Sequence, residues 1–273
     1  MIRRLSRRRP LRVPRAARVL VAFLVAGAAL STNAPLIAEE LSASEVLERA
    51  DRVLYPPSFV MELEMTTEHP NRPTSSMNLQ VYHRQGAGTF LKVRAPERIR
   101  GTRLLARGDD LWMWSPASGS DSAIQLSGRG AFQGSVLSNR DLTNTGYADD
   151  YTPSSMTEQS IDHPELGTVE CIVVQASADS SEAAYGSITL FVQREPFLPV
   201  RVDLAARSGV LFKRMLLWDP TELAGALRPA RMRIESLQVE GAVTTMRITD
   251  MEERSSFPEG MFTQAYLTGG GET

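Results

Sequence analysis

Cysteine is nearly absent: Cys171 is the only one in 273 residues. One thiol excludes an internal disulfide framework, so the fold must rest on its core. Lysine is also scarce, with Lys92 and Lys213 alone among a basic set that is otherwise arginine. Histidine occurs at His69, His83 and His163, scattered and without ligand spacing, and each reads as a solvated or edge side chain. The enzyme motifs are missing as well. No H-E-x-x-H, G-x-S-x-G or phosphate-binding glycine loop occurs. Gly128-x-Gly130 precedes no βαβ unit. The pairs Asp109-Asp110, Asp149-Asp150 and Glu252-Glu253 are adjacent, so on a strand their side chains diverge and cannot converge on one bond. Tyr147–Tyr151 offers a cation no more than weak contact. No catalytic set, metal site or cofactor is expected.

The one long apolar run, Val19–Leu30, falls short of the roughly 20 residues a membrane-spanning helix needs. Eight arginines and no acid precede or adjoin it, and small residues through Ala38 follow. That order is a secretory signal peptide, with cleavage expected near Ala38 and a periplasmic destination. Ser6-Arg7-Arg8 with Leu11-Arg12 leaves the twin-arginine and general export routes both open. All eight arginines leave with residues 1–38, so 22 basic residues remain against 32 acidic ones, a net charge of −10. That makes the chain a poor candidate for binding nucleic acid or anionic lipid surfaces through bulk charge. Residues 39–273 are read as one domain.

Ser42-Ala43-Ser44-Glu45 is a capping box, followed by Val46, Leu47, Ala50, Val53 and Leu54 at helical spacing, with Pro56-Pro57 as the stop. From Ser58 the period becomes two. Phe59, Met61, Leu63 and Met65 alternate with polar neighbours, as do Met77, Leu79 and Val81. Similar segments recur at 88–95, 102–107, 111–115, 123–126, 167–177, 186–194, 198–205, 210–219, 228–239 and 242–252. The pattern predicts about eleven or twelve antiparallel strands. Residues 127–165 lack alternation and read as loops and short helices across one end of the sheet, and 256–267 as a last extended piece before the glycine tail Gly269-Gly270-Gly271. Cys171 is expected in or near the core.

What is unusual is apolar and soft. Met61, Met65, Met77, Met113, Met215 and Met232 fall on strands, where β-branched residues are the common filling. Methionine adapts to irregular apolar partners. Trp112 and Trp114, two apart, share one sheet face. Together they point either to a methionine-containing core or to a cavity wall for an apolar ligand.

Ser58-Phe59, then Gly108–Pro116 (GDDLWMWSP), Phe132-Gln133-Gly134-Ser135 with Asp141-Leu142, Leu211-Phe212-Lys213-Arg214, and Met261–Leu267 occur in an order that resembles the LolA-like outer-membrane lipoprotein-sorting proteins, in their uncharacterised branch. The resemblance implies a mainly β, half-open antiparallel barrel with an N-terminal helix and a helical or loop lid. It implies a periplasmic carrier, not an enzyme, that binds lipoprotein acyl chains or another lipid for transfer toward the outer membrane. The alternative is a non-catalytic periplasmic adaptor of an inner-membrane RND-type or lipid exporter. The family's functional arginine would fall on Arg84 and the aromatic after it on Phe90. The expected lipid-binding wall is Met61, Leu63, Met65, Phe90, Trp112 and Trp114, with Arg84 and Phe132 at the lid. Expected partners are acyl chains, an inner-membrane transporter or an outer-membrane acceptor, met as a monomer.

Overall fold

The computed structural model describes residues 41–143, 146–181 and 183–269. The expected signal segment, with its cleavage point, and Gly270-Gly271 of the tail lie outside the described residues. Helix α1 (Ala43–Leu54) begins as its sequence dictates. The Ser42 hydroxyl accepts from the Glu45 amide, and the Glu45 carboxylate accepts from the Ser42 amide at 2.7 Å. Val46, Leu47, Ala50 and Leu54 are its buried stripe.

Among the described residues, thirteen strands form one antiparallel sheet. The first group is β1 (Ser58–His69), β2 (Arg72–Arg84), β3 (Gly88–Ala95), β4 (Arg103–Arg107), β5 (Asp110–Trp114) and the two-residue β6 (Ile124–Gln125). Helix α2 (Asn139–Thr143) follows. The second group is β7 (Tyr151–His163), β8 (Gly167–Ala178), β9 (Ser187–Gln193), β10 (Leu198–Ala205), β11 (Leu211–Leu223), β12 (Ala226–Ser236) and β13 (Val243–Glu253), and helix α3 (Gln264–Gly269) closes the chain. The order across the sheet is β6-β5-β4-β3-β2-β1-β13-β12-β11-β10-β9-β8-β7. Each group is a run of hairpins, and the groups join where β1 pairs with β13.

This order has a direct topological result. Strands β6 and β7 follow each other in sequence yet occupy opposite edges of the sheet. The described chain between them, residues 126–143 and 146–150, therefore lies across the open side of the half-barrel. The main core lies on the inner face, built from alternate residues of both strand groups and filled by α1 and by Phe132, Leu137, Leu142 and Tyr147 of this crossing.

The outer face carries two smaller clusters. One is Ile161, Val169, Cys171, Val173, Phe191 and Val200, on β7–β10. Cys171 is thus buried beneath the opposite face from the main core, and burial pushes its thiol up to about 11, where it is inert. The other lies under the C-terminal segment and is described below.

Three expectations need correction. Residues 151–163 are not loop but the long edge strand β7; it buries few side chains between Tyr151 and Ile161, so it shows no alternation to read. The stretch 256–267 is not extended; its end enters helix α3, seated on the outer face. His83 and His163 are buried, not solvated. His83 continues the inner face of β2 after Leu79 and Val81, meets Thr89 Oγ1 at 2.9 Å, and is driven down to about 4 by burial.

Candidate functional site

Register decides which side chains share a wall. Met77 of β2 lies opposite Met65 of β1, Met65 opposite Met246 of β13, and Met246 opposite Met232 of β12. Leu217 of β11 continues the line opposite Met232. Four methionines in one row across four adjacent strands make the middle of the inner face flexible and polarizable. Met61 and Leu63 flank the row on β1 and are buried with it. Met215, Met232 and Met246, with Tyr55, Tyr147 and Tyr151, border an internal void of about 40 Å³. That is room for little more than one water. The inner face is filled, and the crossing fills it.

The crossing is fastened by polar contacts at several points. The Asp141 carboxylate meets Lys213 Nζ of β11 at 2.8 Å, with side chains only 8% and 7% exposed. The Tyr185 hydroxyl donates to the same carboxylate at 2.8 Å, and the Ser138 amide donates to it at 2.7 Å. Burial, then the Asp141 charge, hold the Tyr185 phenol well above its usual range, so it stays a donor. Farther along, Arg140 donates to Gly108 O and Asp109 Oδ1 in the β4–β5 turn, both at 3.0 Å. The Val136 amide donates to Thr244 Oγ1 of β13 at 3.1 Å. At the far end Asp51 of α1 accepts from the Tyr147 and Ala148 amides, both at 2.8 Å. Gly146 permits that approach, because a Cβ there would sit 2.8 Å from Asp51 Oδ2. Burial pushes the Asp51 carboxyl up to about 6 despite those two bonds.

The expected wall residues do not share one wall. Met61, Leu63 and Met65 face inward. Phe90 lies opposite Leu105, and Leu105 opposite Trp112, while their neighbours Leu91, Leu104 and Met113 line the inner face. Phe90, Trp112 and Trp114 therefore point outward, because a period of two sends adjacent residues to opposite faces. They are roofed by Phe257, Met261, Phe262, Tyr266 and Leu267 of the C-terminal segment. Arg103 secures that roof, donating to Leu267 O at 3.1 Å beneath the Trp114 ring. Arg84 also faces outward, with its guanidinium 5.6 Å from the Phe262 ring centre, so it does not touch the crossing. Phe132 does belong to the crossing and is packed into the main core.

The roles of four side chains were missed by sequence reasoning. Met246 lies on a strand of mixed polarity. Asp141 lies in the five-residue α2, too short for helical periodicity to mark, and Tyr185 in irregular chain. Lys213 carried a usable signal: in Leu211–Leu217 it occupies the inward register of Met215 and Leu217 while Phe212 takes the outward one. A charge among inward residues demands a buried partner.

A wide polar cleft of about 1060 Å³ opens at the mouth, between the C-terminal end of α1 and the β2–β3 and β4–β5 turns. Among the described residues no cluster of metal-ligating side chains occurs, and no helix is long and apolar enough to cross a membrane.

A sequence model of a family described as an uncharacterized protein matches residues 86–269. No curated protein matches. Among solved structures, a LolA superfamily protein from Nitrosomonas europaea is 25% identical over 83% of this chain and all of its own, with a TM-score of 0.73. A DUF1329 family protein from Desulfovibrio piger is 20% identical, covering 82% of this chain and 97% of its own, at a TM-score of 0.70. A Vibrio parahaemolyticus domain assigned to outer-membrane lipoprotein sorting is 18% identical, covering 83% of this chain and all of its own, at 0.66. These two share the fold. The half-open sheet, the crossing that closes it and the matched family model agree: the chain belongs to the LolA-like family, in its uncharacterised branch.

Proposed function

We propose that this protein is a non-catalytic periplasmic carrier that shelters acyl chains, of a lipoprotein or another lipid, on its methionine-bearing inner face during transfer toward the outer membrane. One observation carries the reading. The inner face is covered by α1 and by a connection held through a few apolar side chains and discrete polar contacts, not by strands, so the connection can lift without dismantling the sheet. Magnitudes allow it. A chain of about sixteen carbons leaving water gains roughly 12 kcal/mol at ~0.8 per methylene. Exposing Phe132, Leu137 and Leu142 in exchange costs about 5–9 kcal/mol. From a membrane the same chain is already buried and gains almost nothing, so direction would come from the donor and acceptor.

The test is native mass spectrometry of the mature chain after incubation with mixed bacterial lipids, followed by extraction. Retention of lipid at one or two chains per protein supports the carrier. The packed interior, with its void of only about 40 Å³, favours a second reading, an adaptor of an inner-membrane exporter with a sealed core. A protein that stays empty in every lipid mixture would favour that reading and sink the first.

A further inference from the structure

Two hollows of about 410 and 450 Å³ adjoin on the surface beside the crossing, sharing Arg129, Ala184 and Arg207. Arg129 Nη2 donates to Ser181 O at 2.7 Å, and Arg207 Nη2 donates to Ser180 O at 2.6 Å. Two guanidiniums are thus held on successive carbonyls of the β8–β9 loop. Neither is paired with a carboxylate among the described residues. Each guanidinium has five N–H donors, most of them left over for an incoming acceptor. In a chain whose part after residue 38 carries −10, such a pair runs against the bulk charge. One end of the groove is apolar: Phe212 is 41% exposed there. Its floor includes Ser138, Tyr185 and Lys213, the surroundings of Asp141. On the inner side of Tyr185 and Asp141 lies the void bordered by Met215, Met232 and Met246. The first hollow is also lined by Asp109, paired with Arg140 at 3.0 Å, which leaves Arg129 and Arg207 as its uncompensated charges. The Asp141–Lys213–Tyr185 contact is therefore a partition between this arginine-lined surface groove and the methionine-lined interior.

We propose that this groove is the headgroup site of the carrier, taking an amphiphile with a phosphate-bearing anionic headgroup, and that the chain passes inward where Asp141 now closes the way. The proposal rests on the carrier reading. The phosphate sits on Arg129 and Arg207, and its charge competes with Asp141 for Lys213. Loading and uncovering of the inner face are then one event.

The experiment is titration calorimetry on the mature chain with three probes: dioctanoyl phosphatidylglycerol, dioctanoylglycerol, and inorganic phosphate. Each is repeated with R129Q/R207Q, a pair of exposed side chains, the fold of the variant being checked by circular dichroism and its urea midpoint. The expected result is that the wild type binds the phosphatidylglycerol more tightly than the diacylglycerol, and that the double variant loses about tenfold or more for the former only, as expected for removing hydrogen bonds to a charge. Equal binding of both lipids, or no effect of the double variant, would overturn the headgroup site and leave the carrier reading standing. Binding of phosphate that the double variant abolishes, with neither lipid bound, supports an anion site fed by free phosphate and overturns the carrier. No binding of any probe overturns both.

Discussion

At the scale of single residues, Asp51 and Lys213 carry the most consequence, because both are charges placed where the pattern is apolar. Asp51 binds a proton more tightly in the folded chain, at about 6, than at its usual 3.8. The contribution is thus greatest below about pH 4 and is lost as pH rises through 4 to 6, reaching about 3 kcal/mol. D51N keeps an acceptor for the Tyr147 and Ala148 amides without the charge. Urea unfolding of both proteins at pH 4.5, 5.5 and 7.5 should show the gap between them changing in favour of the variant as pH rises; parallel curves would remove Asp51 from the account. For the Asp141–Lys213 pair the sign differs. K213M alone strands a buried carboxylate and should cost about 3–5 kcal/mol, while K213M/D141N removes both charges and should recover most of it. A double variant as unstable as the single one would show that the pair does not act as a unit. The tryptophans show how far a residue pattern reads. Trp112 and Trp114 were legible as sharing a face, but which face is decided by neighbours such as Leu91 and Leu104, whose pairing is long-range. Trp218 adjoins inward Leu217 and also points outward. Native tryptophan emission should therefore barely respond to an acyl chain in the interior. M232W places a reporter beside the void, and brominated fatty acid should quench that variant and not the wild type.

At the scale of elements, α1 and the hairpins were readable because capping chemistry and alternation are local. Twelve of the strands announce themselves in this way. β7 does not, since an edge strand with most of its side chains in water has no dry face to mark it. The crossing was legible only as an interruption. Its small helix α2 has five residues and owes its place to Asp141, Arg140 and Thr143 contacts, not to helical periodicity. Such a segment should open on its own. Amides bonded within it, such as Phe132 to Leu137 O and Asn139 to Gly130 O, should exchange hydrogen well before those of β1 and β13. K213M should accelerate the first set far more than the second. Exchange of both sets at one rate would mean that the crossing moves only when the whole sheet unfolds.

At the scale of the whole molecule, the composition announced a sheet with a soft apolar face, and the order of motifs announced the family. Neither contained the pairing of β1 with β13, on which the inner wall depends. That pairing completes the methionine row, through Met65 and Met246, and seats Val136 on Thr244. The basic groove was equally hidden, because Arg129 and Arg207 are brought together by a loop between other strands.

The β1–β13 seam has one more consequence, and it concerns time. Thr67 and Thr244, bonded across it, are 177 residues apart. A chain that emerges N-terminus first presents β1 long before β13 exists. Until then β1 has one open edge, and the two halves of the sheet have no common spine. The seam can close only once the last strand exists, and until then the open edge of β1 is where pairing with another copy is to be expected.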